Sequence, residues 1–267
     1  MKKHFVSAML LCVGVVLGAN ADDVETVKSV NVVDLNGNVT ASYDRSKVGK
    51  ITFTTEEKAD NDFAHEMVDL GLPSKLLWSA CNVGAATGGD YGKFFAWGER
   101  SSKAWNASGV KPAFPGYCDS NTKYYDSTQR GYTKYNTTDN LITLQPSDDA
   151  ATANWGTDYR MPTKAEFEEL MDANNCTWTW TSQKDNAGNS TNGYLVTSKT
   201  NSNSIFLPAA DYCGGISCYR GDGGGYWSST LNSSTKAYYL RFLSTGSYYI
   251  NSDSRCVGHV VRPVSDK

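Results

Sequence analysis

Between residues 224 and 264 apolar and polar side chains alternate in short runs that predict three or four strands closing the chain. Tyr238, Leu240 and Phe242 share one parity and Tyr239, Arg241 and Leu243 the other, the period of a strand that packs on one face and leaves the other available. Thr245-Gly246 predicts a turn into a further strand, with Tyr248 and Ile250 facing in and Tyr249 and Asn251 facing out.

Upstream the pattern changes character. Ser29 to Leu35 alternates Val with polar residues, Asn36-Gly37 is a two-residue hairpin signal, Asn38 to Tyr43 returns, and Val48 to Thr54 supplies a third strand. The charged run Glu56 to Asp62 reads as a linker. Between Met67 and Trp78 the apolar residues are interrupted by Gly71 and Pro73, which predicts strand, turn and strand. Phe94 to Trp97 is wholly apolar and expected to be buried. From Ser101 to Leu144 the chain is polar with interspersed tyrosines and no helical period, a long loop that either binds or covers the core.

Two helices are predicted. Ser147, with Asp148 and Asp149 placed to meet the helix dipole, caps a short one running through Ala153. Thr163 and Glu166 have capping-box spacing, and Phe167, Leu170 and Met171 then stack on the face turned to the sheet. Glu168 and Glu169 point elsewhere as solvated carboxylates.

The start of the chain reads as a targeting segment. Lys2 and Lys3 precede an apolar run from Phe5 to Leu17, and Ala19-Asn20-Ala21 has the small-x-small form of a cleavage site. The run is too short to span a bilayer, and Leu11 before Cys12 does not suit lipid attachment. Export with cleavage near Ala21 is therefore expected.

A net charge of -3 shows no excess of Lys and Arg, which argues against a nucleic-acid partner. The 16 Tyr, 7 Trp and 24 Gly, with many Ser and Asn, suit a loop-rich exported domain and its binding loops.

Several segments carry a resemblance. YWSST (226–230), AYYLRF (237–242) and GHVVRPV (258–264) resemble the C-terminal core of exported bacterial proteins with the C-type-lectin-like fold. That fold is shared with formylglycine-generating enzymes and with the variable proteins of diversity-generating retroelements. HEMVDLGLPSKLLWSACNVGA (65–85), DYGKFFAWGE (90–99), YRMPTKAEFEEL (159–170), CTWTW (176–180) and SIFLPAA (204–210) match in the same order. The N-terminal β-unit is similar to a short module that precedes many such exported domains.

Signals for catalysis are sparse. His65 and His259 are far apart in sequence, and no HExxH, paired CxxC, phosphate loop or GxSxG occurs. Ser228 and Ser229 read as core residues. The calcium motifs of sugar-binding relatives are not reproduced by Gln145-Pro146-Ser147 or Asn154-Trp155-Gly156, which lack the carboxylates a hard cation wants. Cys81, Cys118, Cys176, Cys213, Cys218 and Cys256 follow the targeting segment, an even set that points to disulfides in an exported chain. Cys81 and Cys176 are either buried thiols or partners. Cys213 and Cys218 are near enough to close a local loop. Their spacing is also that of the copper-holding pair of formylglycine-generating enzymes, though here the pair precedes the Trp227 segment where the enzymes place it after.

The sequence thus predicts an α+β fold: a signal peptide over 1–21, a small β-hairpin unit and linker over 22–60, and a C-type-lectin-like domain over 61–267. Short antiparallel strands, two helices and long loops are expected in that domain. With the signals for catalysis sparse, the expected function is that of a non-catalytic binder of a protein or glycan at a cell surface, without cofactor or metal. In retroelement-diversified relatives variation falls between the framework segments of the last stretch. Here those places hold Asn232, Ser233, Ser234, Tyr239, Arg241, Tyr249, Asn251, Asp253, Arg255 and His259. Tyr239, Arg241 and Tyr249 are the expected anchors. The alternatives are a copper-thiolate oxidase and a structural subunit of a surface assembly, docked through residues 22–54.

Overall fold

The computed structural model describes residues 29–33, 39–44, 66–103 and 116–266. The expected signal peptide, the Val48–Thr54 strand, the Glu56–Asp62 linker and His65 lie outside the described residues. The chain divides into two compact units, Met1–Glu57 and Lys58–Lys267. In the first, β1 (Ser29–Val33) pairs antiparallel with β2 (Val39–Asp44), with a register irregularity between Val32 and Val33. These are the two paired strands that the alternation of valines predicts, and Asn36-Gly37 lies outside the described residues.

The second unit is α+β, with sheets predominating. It opens with β3 (Met67–Asp69) and β4 (Leu77–Ser79), an antiparallel pair across the Gly71–Pro73 interruption. The buried β5 (Phe94–Phe95) follows, then a small hairpin of β6 (Tyr125–Asp126) and β7 (Gly131–Tyr132). Helix α1 (Ala150–Trp155) and helix α2 (Lys164–Met171) come next.

The remaining elements are strands. β8 (Cys176–Lys184), β9 (Ser190–Ser198) and β10 (Ser204–Pro208) form a meander in the order β10-β9-β8. A two-residue ladder of β11 (Cys213–Gly214) and β12 (Ser217–Cys218) leads to the long hairpin β13 (Gly223–Ser233) and β14 (Lys236–Leu243). β15 (Tyr248–Ser254), β16 (His259–Val260) and β17 (Val264–Ser265) complete the chain. The C-terminal sheet has the order β15-β14-β13-β16-β5, and β17 joins β4 and β3, so the end of the unit pairs with its beginning.

Helix α2 forms as its cap dictates. The Thr163 hydroxyl accepts the Glu166 N–H at 3.3 Å, and the Glu166 carboxylate accepts the Thr163 N–H at 2.7 Å. Phe167 and Leu170 are then fully buried and Met171 packs against the same cluster. Helix α1 departs from expectation. Ser147 sits in a 3-10 turn over Pro146–Asp148, and the cap is Asp149, whose carboxylate accepts the N–H groups of Ala151 and Thr152 at 2.8 and 3.1 Å. Asp148 is turned inward instead, for a reason given below. Among the described residues no helix is long and apolar enough to cross a membrane.

Two apolar clusters hold the second unit together. One joins Tyr226, Leu240, Phe242 and Val260 of the C-terminal sheet to α2 and the β8–β10 meander. The other joins Trp227, Ala237 and Tyr239 to Trp97, Tyr135, Leu144, Met161 and the start of α1. Both faces of the C-terminal sheet are therefore covered around Trp227, where the sequence led us to expect one covered and one available.

Candidate functional site

The β14–β15 ladder brings the expected residues into a row. Arg241 lies opposite Tyr249, Tyr239 opposite Asn251, and Ala237 opposite Asp253. The row runs from the Asn232–Thr235 tip of the β13–β14 hairpin toward the Ser244–Ser247 turn. From Lys236 to Arg241 it spans about 16 Å at roughly 3.3 Å per strand residue. Its members differ in depth. Asn232, Ser233, Ser234, Tyr249 and Asn251 are exposed, Arg241 and Asp253 are half-buried, and Tyr239, Arg255 and His259 are buried.

Glycine makes the buried layer possible. Gly225 stands opposite Arg241, and a Cβ there would come within 2.3 Å of His259 Nδ1 and 2.5 Å of the Asp211 carbonyl oxygen. The imidazole fills that space. It stacks on Tyr239 with centroids 4.3 Å apart and meets Trp227 edge-on at 4.5 Å. Its Nε2 lies 3.2 Å from Asp253 Oδ2 and its Nδ1 3.2 Å from the Asp211 carbonyl oxygen. Burial pushes the His259 pKa below its ordinary value, against the pull of Asp253, so the ring is neutral at pH 7 and its single N–H serves one of these two acceptors. Burial works against the Asp253 charge too, yet the His259 bond and its own turn keep that carboxyl below the usual range.

Above this layer Arg241 makes a two-pronged ion pair with the Asp211 carboxylate. The pair fixes the guanidinium on the face it shares with its ladder partner Tyr249, which is 42 % exposed. A rigid polar pair thus supports an exposed aromatic ring, with Asn251 beside it offering a donor and an acceptor.

Tyr239, Arg255 and His259 leave the surface set that the sequence predicts. The Arg255 side chain is 0 % exposed. Its Nη1 donates to the carbonyls of Lys134, Tyr135 and Ser234 at 3.0, 3.2 and 3.0 Å. The guanidinium lies 3.9 Å from the Tyr132 ring centroid and 5.0 Å from that of Trp97. Its Nε and Nη2 have no hydrogen-bond partner, and burial pushes its pKa down to about 10. Arg255 is a clamp between the hairpin tip and the 132–135 segment. Tyr239 is 7 % exposed and roofs His259. Periodicity gives these residues the outward parity. It cannot show that residues more than 90 positions away cover that side.

The covering segment has its own polar centre, which sequence reasoning missed. Asp148 is 1 % exposed and accepts from Lys123 Nζ, Lys134 Nζ and the hydroxyls of Tyr124 and Tyr135, all between 2.6 and 2.7 Å. Burial opposes its charge, but these four donors hold its pKa well below the usual carboxylate range. Lys134, opposed by its own desolvation, is raised chiefly by Asp148. The described part of the Ser101–Leu144 loop therefore packs on the sheet, with Tyr117 and Tyr135 buried. Only the turn-like spacing of its tyrosines and lysines hints at this in sequence.

The local loop closure expected of Cys213 and Cys218 forms beside the row. Cys213 and Cys218 are joined in a disulfide across the β11–β12 ladder, so their sulfurs are bonded to each other and neither is a thiolate. The backbone of Cys213 exchanges two hydrogen bonds with Gly258, at 2.7 and 2.8 Å, which pins the loop beside His259. Tyr212 and Tyr219 flank the disulfide with ring centroids 4.8 Å apart. Cys81, Cys118, Cys176 and Cys256 are not disulfide-bonded among the described residues.

Chemically the row is suited to contact. Ser228 and Ser229 are buried and donate to the carbonyls of Tyr238 and Pro162. Among the described residues no three His, Cys, Asp or Glu side chains converge as a metal site. The chain matches no family model, no curated protein and no solved structure.

Proposed function

We propose that this chain is an exported, non-catalytic ligand-binding protein whose second unit is a C-type-lectin-like domain. It recognises a protein or glycan at a cell surface through β14, β15 and the loops at their ends. The fold reading is supported by where the resembling segments lie. Each of them supplies residues to the two apolar clusters, from Trp78 and Trp97 through Phe167 and Ile205 to Trp227, Phe242 and Val264. Framework and core coincide.

The binding reading is carried by one observation: Tyr249 and Asn251 stand exposed above a base that cannot yield. Arg241, Asp211, His259, Tyr239 and Asp253 are locked by ion pair, hydrogen bonds and stacking. A preformed base with a protruding aromatic ring lowers the entropy lost on binding. Asn232, Ser233 and Ser234 extend the surface as adaptable contacts. Arg255 and His259 contribute from beneath by holding it in shape. Disulfide closure of the Cys213–Cys218 loop is compatible with export.

The test is capture of surface glycans and surface proteins by the purified chain, beside a Tyr249→Ala/Asn251→Ala variant. Loss of about tenfold or more in affinity, with an unchanged melting temperature, is expected if these side chains anchor the ligand. Equal capture by both proteins would place the site elsewhere.

A further inference from the structure

Among the described residues the large apolar side chains that stand exposed are Ile142, Ile216, Tyr219 and Tyr249. Three of these four belong to one region. Ile216 (40 % exposed) tops the disulfide loop, Tyr219 (50 %) follows it, and Tyr249 (42 %) stands on β15. Contacts connect them. Tyr219 pairs with Tyr212 through its N–H, which donates to the Tyr212 carbonyl at 2.9 Å. The Tyr212 ring lies 6.4 Å from that of His259, which stacks under Tyr239. Asp211, next in sequence to Tyr212, binds Arg241, the ladder partner of Tyr249.

Resting on the reading of the C-terminal face above, we infer that the disulfide-closed loop and β15 together form a binding site for a neutral glycan. Tyr212 and Tyr219 form its aromatic floor and Tyr249 its opposite wall.

The chemistry points to a sugar. A pyranose ring has an apolar C–H face, which an aromatic ring covers, and a rim of hydroxyls that donate and accept at once. Here tyrosine rings alternate with Arg241 as donor, the Asp211 carboxylate as acceptor, and Asn251 and the tyrosine hydroxyls as both. A protein partner would want a contiguous apolar centre, and the Arg241–Asp211 pair separates the Tyr212–Tyr219 rings from Tyr249. The charges decide the class of sugar. Arg241 is neutralised by Asp211, His259 is neutral, and Asp253 retains its negative charge. An anionic sugar would have to break the Arg241–Asp211 pair, and Lys236 at the end of the row is set against the Asp253 carboxylate. The disulfide and the Gly258 contacts hold the floor in place before the ligand arrives.

The experiment is an array of neutral hexose and N-acetylhexosamine oligosaccharides beside sialylated and sulfated ones. It is probed with the intact chain and with Tyr212→Ala, Tyr219→Ala and Tyr249→Ala variants of matched melting temperature. Binding to neutral members, weakened about tenfold or more by each substitution and competed by free methyl hexosides, is the expected result. Preference for anionic members overturns it, as does unchanged binding by Tyr212→Ala and Tyr219→Ala. If the chain instead captures a surface protein, survives removal of that protein's glycans and loses capture in Tyr249→Ala, the C-terminal face stands as the site and the glycan inference falls. Capture of nothing on the array or at the cell surface contradicts both.

Discussion

Removing the Asp148 carboxylate would leave the buried Tyr135 hydroxyl without its acceptor, while Lys123 and Lys134, 40 and 22 % exposed, can turn to water. Leaving buried donors unsatisfied costs about 1–3 kcal/mol. Asp148→Ala should therefore lower the unfolding free energy by that amount in urea titrations, and a loss below about 1 kcal/mol, the size of a surface ion pair, would show that the centre is only a solvated patch. His259 and Asp148 shape the pH dependence, with Asp253 depressed as Asp148 is and Asp149 raised by burial in the opposite sense. His259 is depressed, so below the ordinary histidine value of about 6.5 the unfolded chain takes up a proton that the folded chain refuses, and stability falls. Trp227, Tyr239, Arg241, Asp211 and Asp253 surround the ring; the Asp253 carboxylate and the Asp211 carbonyl favour its charge, and burial and Arg241 oppose it. Asp148 is depressed as well, so its contribution is complete above the ordinary carboxylate value of about 4 and fades as the pH drops toward its lower folded value. Unfolding free energy should decline from pH 6.5 to 5 and again below pH 4. His259→Gln should flatten the first decline alone. A variant that keeps it would remove His259 from the account. In sequence Asp148 read as a helix-dipole acid and His259 as a surface contact, because neither burial nor a remote donor can be seen from neighbouring residues.

Local signals at the level of the element were legible because they are completed within a few residues. The capping box of α2 needs only Thr163 and Glu166, and both of its bonds form. Thr163→Ala should cost about 0.5–2 kcal/mol of stability by denaturant titration. Ser147→Ala, at an exposed position that does not cap α1, should stay within about 0.5 kcal/mol. The reverse order of these two effects would contradict the cap assignment. Parity was also legible where one partner decides it: Leu240 and Phe242 pack inward, and Tyr248 stacks on Trp178 with centroids 4.6 Å apart. It failed at Tyr239 because the far face of that strand is closed by Trp97 and Tyr135. The Trp97 indole donates to the Ser228 carbonyl and the Trp227 indole to that of Phe95, each at 2.8 Å, and no pattern within β14 could announce those links.

For the whole molecule, the sequence carried the α+β class, the antiparallel strands and two helices, and most of the row of residues on β14 and β15. It did not carry the second apolar cluster, the packing of the long loop or the aromatic pair at the disulfide. Each of these depends on segments meeting across long separations, as Tyr117 does with Gly215 and Cys213 with Gly258. The account makes β15, an edge strand of the C-terminal sheet, the place where a ligand arrives. Edge-strand amides that face no neighbour exchange with solvent and report a ligand laid over them. The decisive measurement is hydrogen exchange by mass spectrometry on the intact chain, with and without the glycan or surface protein it captures. Slower exchange over residues 236–254 with no change over 123–143 is the result expected. Protection confined to 123–143, or to the paired strands β1 and β2, would contradict the assignment of function to the C-terminal face.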